Sequence, residues 1–204
     1  MQKDLLKIKG VNPPKTKLGL SKMKALLDAS RELFTKVGFF ETSVSDICKH
    51  ANTAVGTFYI YFESKTDVYR LLLEEYKKEI KAQLAKSIAN CSTRKQKERE
   101  GIKCFIKYAV SKPEVYNFIW GSLAIDQQMF VDYYESFAKS YATSLSNDGR
   151  QCNLSDTTTI AYMLMGITNF LGLRAIFENM QDQQIDKIMD ETVMPFLSTG
   201  LLKE

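Results

Sequence analysis

The residues of this chain that could do chemistry fall in two places. One is the stretch 42–65, TSVSDICKHANTAVGTFYIYFESK. Its hydroxyls and terminal lysine suit hydrogen bonding to phosphates and base edges. The other is the aromatic middle of the chain, where Phe105, Tyr108, Tyr116, Trp120, Phe130, Tyr134 and Phe137 recur. Such rings suit an apolar or aromatic molecule, or a cation held over a ring face. Catalysis lacks its usual parts. His50 is the only histidine, and Cys48, Cys91, Cys104 and Cys152 are too scattered to hold a metal. There is no Glu-x-x-His pair, no Gly-rich phosphate loop and no nucleophile elbow. The expectation is a protein that is not an enzyme and uses neither metal nor cofactor.

Helices must position both sets. Ser43 stands where it can N-cap a short helix, with Asp46 three residues on as its capping partner. Val44, Ile47, Cys48 and Ala51 give that helix one apolar face. Asn52 tolerates the left-handed conformation that a sharp turn needs. Val55, Phe58 and Phe62 then make the buried stripe of a second helix, leaving Thr53, Ala54, Gly56, Thr57, Tyr59 and Tyr61 on other faces. Ser64 with Asp67 repeats the capping spacing and opens a third. Two short helices joined by a tight turn are the outline of a helix-turn-helix.

Taken in order, residues 1–20 read as a flexible basic arm. A first helix is expected over 21–37, with Leu26, Ala29, Ser30, Leu33, Phe34 and Val37 in one stripe and Gly38 as its C-cap. Phe39 and Phe40 are expected to close over the small core. A long helix follows over 64–89, and the polar run 92–99, STRKQKER, reads as a hinge. Further helices are expected over 100–110, 114–125, 126–145, 155–179 and 184–202. Residues 146–153 form a loop between them, and Pro195 kinks or shortens the last helix. The fold class is all-α, with about nine helices: a helix-turn-helix domain over 21–66 and a larger helical domain over 67–204.

Composition agrees. With 45% apolar and 25% charged residues, 10 Gly and 4 Pro, the chain is ordinary for a soluble globular protein. No signal peptide or membrane-length apolar run is apparent, so a reduced, cytoplasmic setting and no membrane partner are expected. The net charge of +4 is unevenly placed: residues 1–24 hold seven lysines against Asp4 alone. Residues 1–70 sum to +5 and the remainder to −1. The positive field therefore lies with the helix-turn-helix, where phosphate neutralisation would require it.

Leu26–Phe34, Gly38-Phe39, Thr42-Ser43-Val44, Asp46-Ile47, Gly56-Thr57-Phe58-Tyr59, Tyr61-Phe62 and Ser64-Lys65 together resemble the N-terminal domain of tetracycline-repressor (TetR) family regulators. The likeness runs over roughly residues 22–72. Cys48 departs from the family's usual Ala, and Asn52-Thr53-Ala54 from its usual Gly-Val-Ser turn. The resemblance implies a homodimeric regulator of a double-stranded operator, joined through its last two helices and released by a small-molecule effector. Repression is favoured by the resemblance alone; a ligand-responsive activator, or an interaction protein with a degenerate helix-turn-helix, are the alternatives.

The residues expected at the DNA are Thr42, Ser43, Thr53, Ala54, Val55, Gly56, Thr57, Tyr59, Tyr61 and Lys65. Of these, Tyr59, Tyr61 and Lys65 match family positions that hold the backbone. The aromatic set named above, with Met163, Asn169 and Phe170, is expected at the effector. The helix over 155–179 is apolar on more than one side, so it needs cover on more than one side. A second copy is the simplest cover, with Ile160, Leu164, Ile167, Leu171, Ile188, Thr192 and Phe196 at a twofold interface.

Overall fold

The computed structural model describes residues 8–147 and 156–200. The start of the expected arm and most of the 146–153 loop lie outside the described residues. The chain divides into two compact units, Met1–Tyr76 and Lys77–Glu204.

In the first unit, Thr16 caps α1 (Lys17–Lys36) by accepting from the Gly19 amide at 3.0 Å. Residues 8–20 therefore differ from the flexible arm expected there. Val11 is buried and forms an antiparallel bridge with Phe62, while the Asn12 amide donates to the Tyr61 carbonyl at 2.8 Å. Apolar Val11 and Pro14 give this strip something to bury, which a reading of its lysines missed. Gly38, at φ +103°, ends α1. α2 (Val44–His50) starts on a reciprocal capping box between Ser43 and Asp46. Asn52, at φ +50°, makes the turn into α3 (Val55–Tyr61). Phe58 and Phe62 of that segment are fully buried, with ring centroids 5.4 Å apart. Phe40, by contrast, does not close over the core as expected: it stands 64% exposed, while Phe39 packs between Phe34 and Tyr69.

α4 (Lys65–Ile88) begins in the first unit and ends in the second. In the second unit, α5 (Arg94–Ser111) is followed by α6 (Pro113–Ile125), α7 (Gln127–Asn147) and α8 (Thr157–Phe177). The run 92–99 is not a hinge. Thr93 and Gln96 form a capping box, and the run supplies the first turns of α5. Its Arg94 and Glu98 are buried as an ion pair, with Arg94 Nε donating to Glu98 Oε1 at 2.6 Å. The Tyr141 hydroxyl donates to the same carboxylate.

α9 runs through Asp182–Ile188, a π-helical turn at Met189–Val193, and Met194–Gly200. The Met194 amide reaches back to the Met189 carbonyl. Widening the turn just before Pro195 relieves the clash of its ring with the carbonyl four residues earlier, so the helix continues where a kink was expected. Three ion pairs fasten α9 to α5: Arg99 to Asp190 at 2.8 Å, Lys107 to Asp182 at 2.6 Å, and Lys103 to Asp186 between them. The core of this unit gathers Ile102, Ile106, Leu145, Leu164, Ile185 and Met189. α8 is long and apolar enough to cross a bilayer by composition, which the sequence reading did not credit. Its Ile160, Ala161, Leu164 and Ala175 face is spent instead on this core.

The turn at Asn52 supplies a stability test. A side chain without local hydrogen bonding is disfavoured at positive φ, so Asn52→Ala should cost about 1 kcal/mol, whereas Asn52→Gly should be nearly neutral. Urea unfolding of the two variants checks this; equal losses would contradict it.

Candidate nucleic-acid interface and ligand cavities

The outward face of the helix-turn-helix is built by what the core leaves over. Phe58 and Tyr61 of α3 point inward, and the residues between them and at its start point out. Val55 is 42%, Tyr59 54% and Ile60 61% exposed. Ala54, at the N-cap, and Gly56 are also exposed, Thr57 is half-buried, and no atom lies within 4 Å of where a Gly56 Cβ would stand. Val55 was expected in the buried stripe as well as at the DNA; only the second placing agrees with its exposure. Ser43 is exposed and occupied with Asp46. Ile60 was missed because it belongs to neither the buried stripe nor the resemblance, and only its exposure reveals it.

Four expected contacts turn inward. The Thr42 side chain is buried and donates to the Gly38 carbonyl at 2.6 Å. Thr53 Oγ1 is buried beside the Cys48 thiol. Tyr61 is buried, its hydroxyl 3.0 Å from the position a Gly19 Cβ would take. Lys65 is the largest change. Its ammonium donates to the carbonyls of Phe39 (2.6 Å), Thr42 (2.8 Å) and Phe40 (3.2 Å), and lies 4.4 Å from the Phe39 ring centroid. An ammonium has three protons, and these three carbonyls use them all. Lys65 thus holds the α1–α2 connection rather than reaching outward for a phosphate.

The second unit contains two cavities of about 330 Å³ each. The first is lined by α4, α5, α7 and α8, with Phe105, Tyr133, Phe137 and Tyr141 as its aromatic wall. Lys81, Arg94 and Lys97 also line it, and no carboxylate does among the described residues. Lys81 Nζ is held by Ser136 Oγ at 2.9 Å and lies over the Phe137 ring. The second is an almost wholly apolar cleft that opens to the surface: Trp120, Phe130, Val131, Tyr162, Gly166 and Phe170 line it, and Phe170 is 65% exposed. Tyr134, Met165 and Asn169 border both. Burial pushes the Tyr134 and Tyr141 hydroxyls well above the ordinary tyrosine value, so both remain protonated donors.

Of the expected effector residues, Phe105, Trp120, Phe130, Tyr134, Phe137, Asn169 and Phe170 line these cavities. Tyr108 and Met163 line neither. Tyr116 is buried, its hydroxyl spent on the Asn169 carbonyl at 3.0 Å. The lysines and arginine of the first cavity were missed because Lys and Arg on a helix ordinarily face water.

The expected twofold interface is also redrawn. Ile160 and Leu164 are core residues of a single subunit, and Ile167, Leu171 and Ile188 pack partly against that core. Thr192 and Phe196 are exposed, as are Met163, Phe170 and Phe177, which recur every seven residues along α8.

Lys65→Met keeps the stem over Phe39 and removes the three donors. It should lower stability by about 2 kcal/mol while leaving the salt dependence of DNA binding unchanged. Denaturant melts and a salt titration check both halves; a shallower salt slope with full stability would restore a phosphate contact.

Residues 26–72 match the family model described as bacterial regulatory proteins, tetR family. The HTH-type transcriptional regulator YvdT of Bacillus subtilis (strain 168) is 42% identical over 53 residues, 26% of this chain and 27% of its own length. The fatty acid metabolism regulator protein of the same organism is 32% identical over 76 residues, 37% of this chain and 39% of its own. The chain thus matches well under half the length of these two relatives. The solved structure of the fatty acid degradation regulator FadR from Bacillus halodurans superposes with a TM-score of 0.68 at 17% identity, covering 88% of this chain and 95% of that one. The likeness to the tetR family of bacterial regulatory proteins thus lies in the helix-turn-helix unit, and the solved structure shares the fold.

Proposed function

We propose that this protein is a DNA-binding transcriptional regulator, a homodimeric repressor that leaves a palindromic operator when an amphiphile with an anionic head and an apolar tail enters the second unit. The observation that carries the reading is the first cavity, where Lys81 and Lys97, with Arg94 in its pair with Glu98, stand beside an aromatic wall. The names of two relatives, both regulators of fatty acid metabolism or degradation, support an alkanoate or acyl effector.

At the DNA, Ala54, Val55, Gly56 and Thr57 present the start of α3 to a major groove, with Tyr59 and Ser43 toward the backbone. No Arg, Asn or Gln lies between Thr53 and Phe62. Specificity then leans on apolar contacts, such as Val55 and Ala54 with thymine methyls, and on DNA shape. Lys81, Leu84, Ala85 and Ile88 of the cavity wall belong to α4, the same helix whose first residue, Lys65, holds the α1–α2 connection. A ligand that favours a different setting of α4 lowers operator affinity by its differential binding, typically 5- to 150-fold.

The test is fluorescence anisotropy on the duplex upstream of the gene. Decanoate should weaken binding within that range. Val55→Glu, which sets a carboxylate against phosphates on an exposed position, should weaken it by roughly tenfold or more with the fold intact. Operator affinity indifferent to both would refute the reading.

The dimer is supported by the exposed apolar residues Met163, Phe170 and Phe177 of α8 and Phe196 of α9. Phe177→Glu with Phe196→Glu should yield a monomer in sedimentation velocity; an unchanged dimer would move the interface elsewhere.

A further inference from the structure

The two cavities of the second unit follow one another along α7. Phe130 and Val131 line the second, Tyr134 borders both, and Phe137, Ser140, Tyr141 and Ser144 line the first. Arg94 Nη1 bonds Ser144 Oγ at 3.0 Å, so a charged end of the first cavity stands ten residues along α7 from Tyr134, about 15 Å. Trp120, the only tryptophan, lies on the opposite side of that border, its ring centroid 5.7 Å from Phe130. The border itself is polar. Tyr134 donates to Asn169 Oδ1 at 3.2 Å, and Asn169 Nδ2 donates to the Met165 carbonyl at 2.8 Å.

We infer that the Tyr134–Asn169 hydrogen bond is a partition between two apolar chambers, opened by an alkyl chain that enters head-last from the Lys81, Arg94 and Lys97 side, and that this pair sets the longest chain accepted. The inference rests on the anionic-amphiphile reading above and adds its direction and its length limit. Each chamber alone stands near the lower bound of small-molecule sites; joined, they reach the middle of that range. Separating one neutral hydrogen bond is offset by burying roughly two to four further methylenes. Affinity should therefore rise with chain length, flatten when the first chamber is full, and rise again once the tail crosses. Gly166 lines the second chamber with nothing within 4 Å of where its Cβ would be, so a side chain placed there would fill it.

The test uses the full chain, straight alkanoates from hexanoate to hexadecanoate followed by calorimetry, and bromine as a short-range quencher of Trp120. With ω-bromohexadecanoate, Trp120 emission should fall; with α-bromohexadecanoate, bound equally by calorimetry, it should not. Tyr134→Phe should strengthen hexadecanoate binding roughly two- to tenfold relative to hexanoate. Gly166→Leu, a substitution that favours the helix, should reduce hexadecanoate affinity to that of a chain that fills the first chamber only. Quenching by the α-bromo probe, or hexadecanoate affinity indifferent to Gly166→Leu, would overturn the partition while leaving the effector class standing. No heat with any alkanoate would overturn the effector class and the partition with it.

Discussion

The helix-turn-helix unit turns on one ammonium. Lys65 gathers three carbonyls of the α1–α2 connection, and so fixes where α2 starts relative to the first residue of α4. That connection has no regular hydrogen bonding of its own, and carbonyls left without donors there would let the loop wander. With it fixed, Ser43 can cap α2, Asn52 can turn the chain, and Phe58 can enter the core. The outward set Ala54, Val55, Gly56, Thr57 and Tyr59 is then presented without any long polar side chain. Under the proposed function, a rigid, short-armed surface of this kind would read a groove by fit, with little adaptability to spend on a wrong one.

The second unit follows a different rule. Its helices are apolar enough to bury most of their surface, and they place ionic and hydrogen-bonding groups where a bland core would have none. Arg94 and Glu98 form a buried pair, with Tyr141 and Ser144 completing its hydrogen bonds. A buried charge left without such partners would cost several kcal/mol, so each member locks the next. The result is a cavity whose polar end is rigid and whose apolar end is divided by Tyr134 and Asn169. Both units thus separate a tightly determined interior from a face left open for recognition.

What could be read from the sequence was local. The Ser43–Asp46 box, the Asn52 turn and the Gly38 stop are decided within four residues of backbone, and all three stand as expected. The carbonyl partners of Lys65 were not legible because they lie 23 to 26 residues away, where no spacing rule reaches. Arg94 and Glu98 sit in a run so charged that it reads as solvated, although Thr93 and Gln96 carried a capping signal that marks a helix start. On α8, apolar residues on every side leave no period to tell core from surface. Ile160 and Leu164 were therefore expected at an interface, and only packing places them in the core.

The ion pairs between α5 and α9 carry one more consequence. Arg99, Lys103 and Lys107 meet Asp190, Asp186 and Asp182 at a spacing of four on both helices. A ladder with equal rungs and one sign of charge on each helix fixes neither which way α9 runs nor where it stops: sliding by one helical turn would still match two of the three. Arg99 already reaches the neighbouring rung, with Asp186 at 3.8 Å. Position along the ladder must come from shapes that do not repeat, and those are the buried Met189 and the wide turn it opens before Pro195. The charges hold the two helices side by side, and one irregular turn supplies the address.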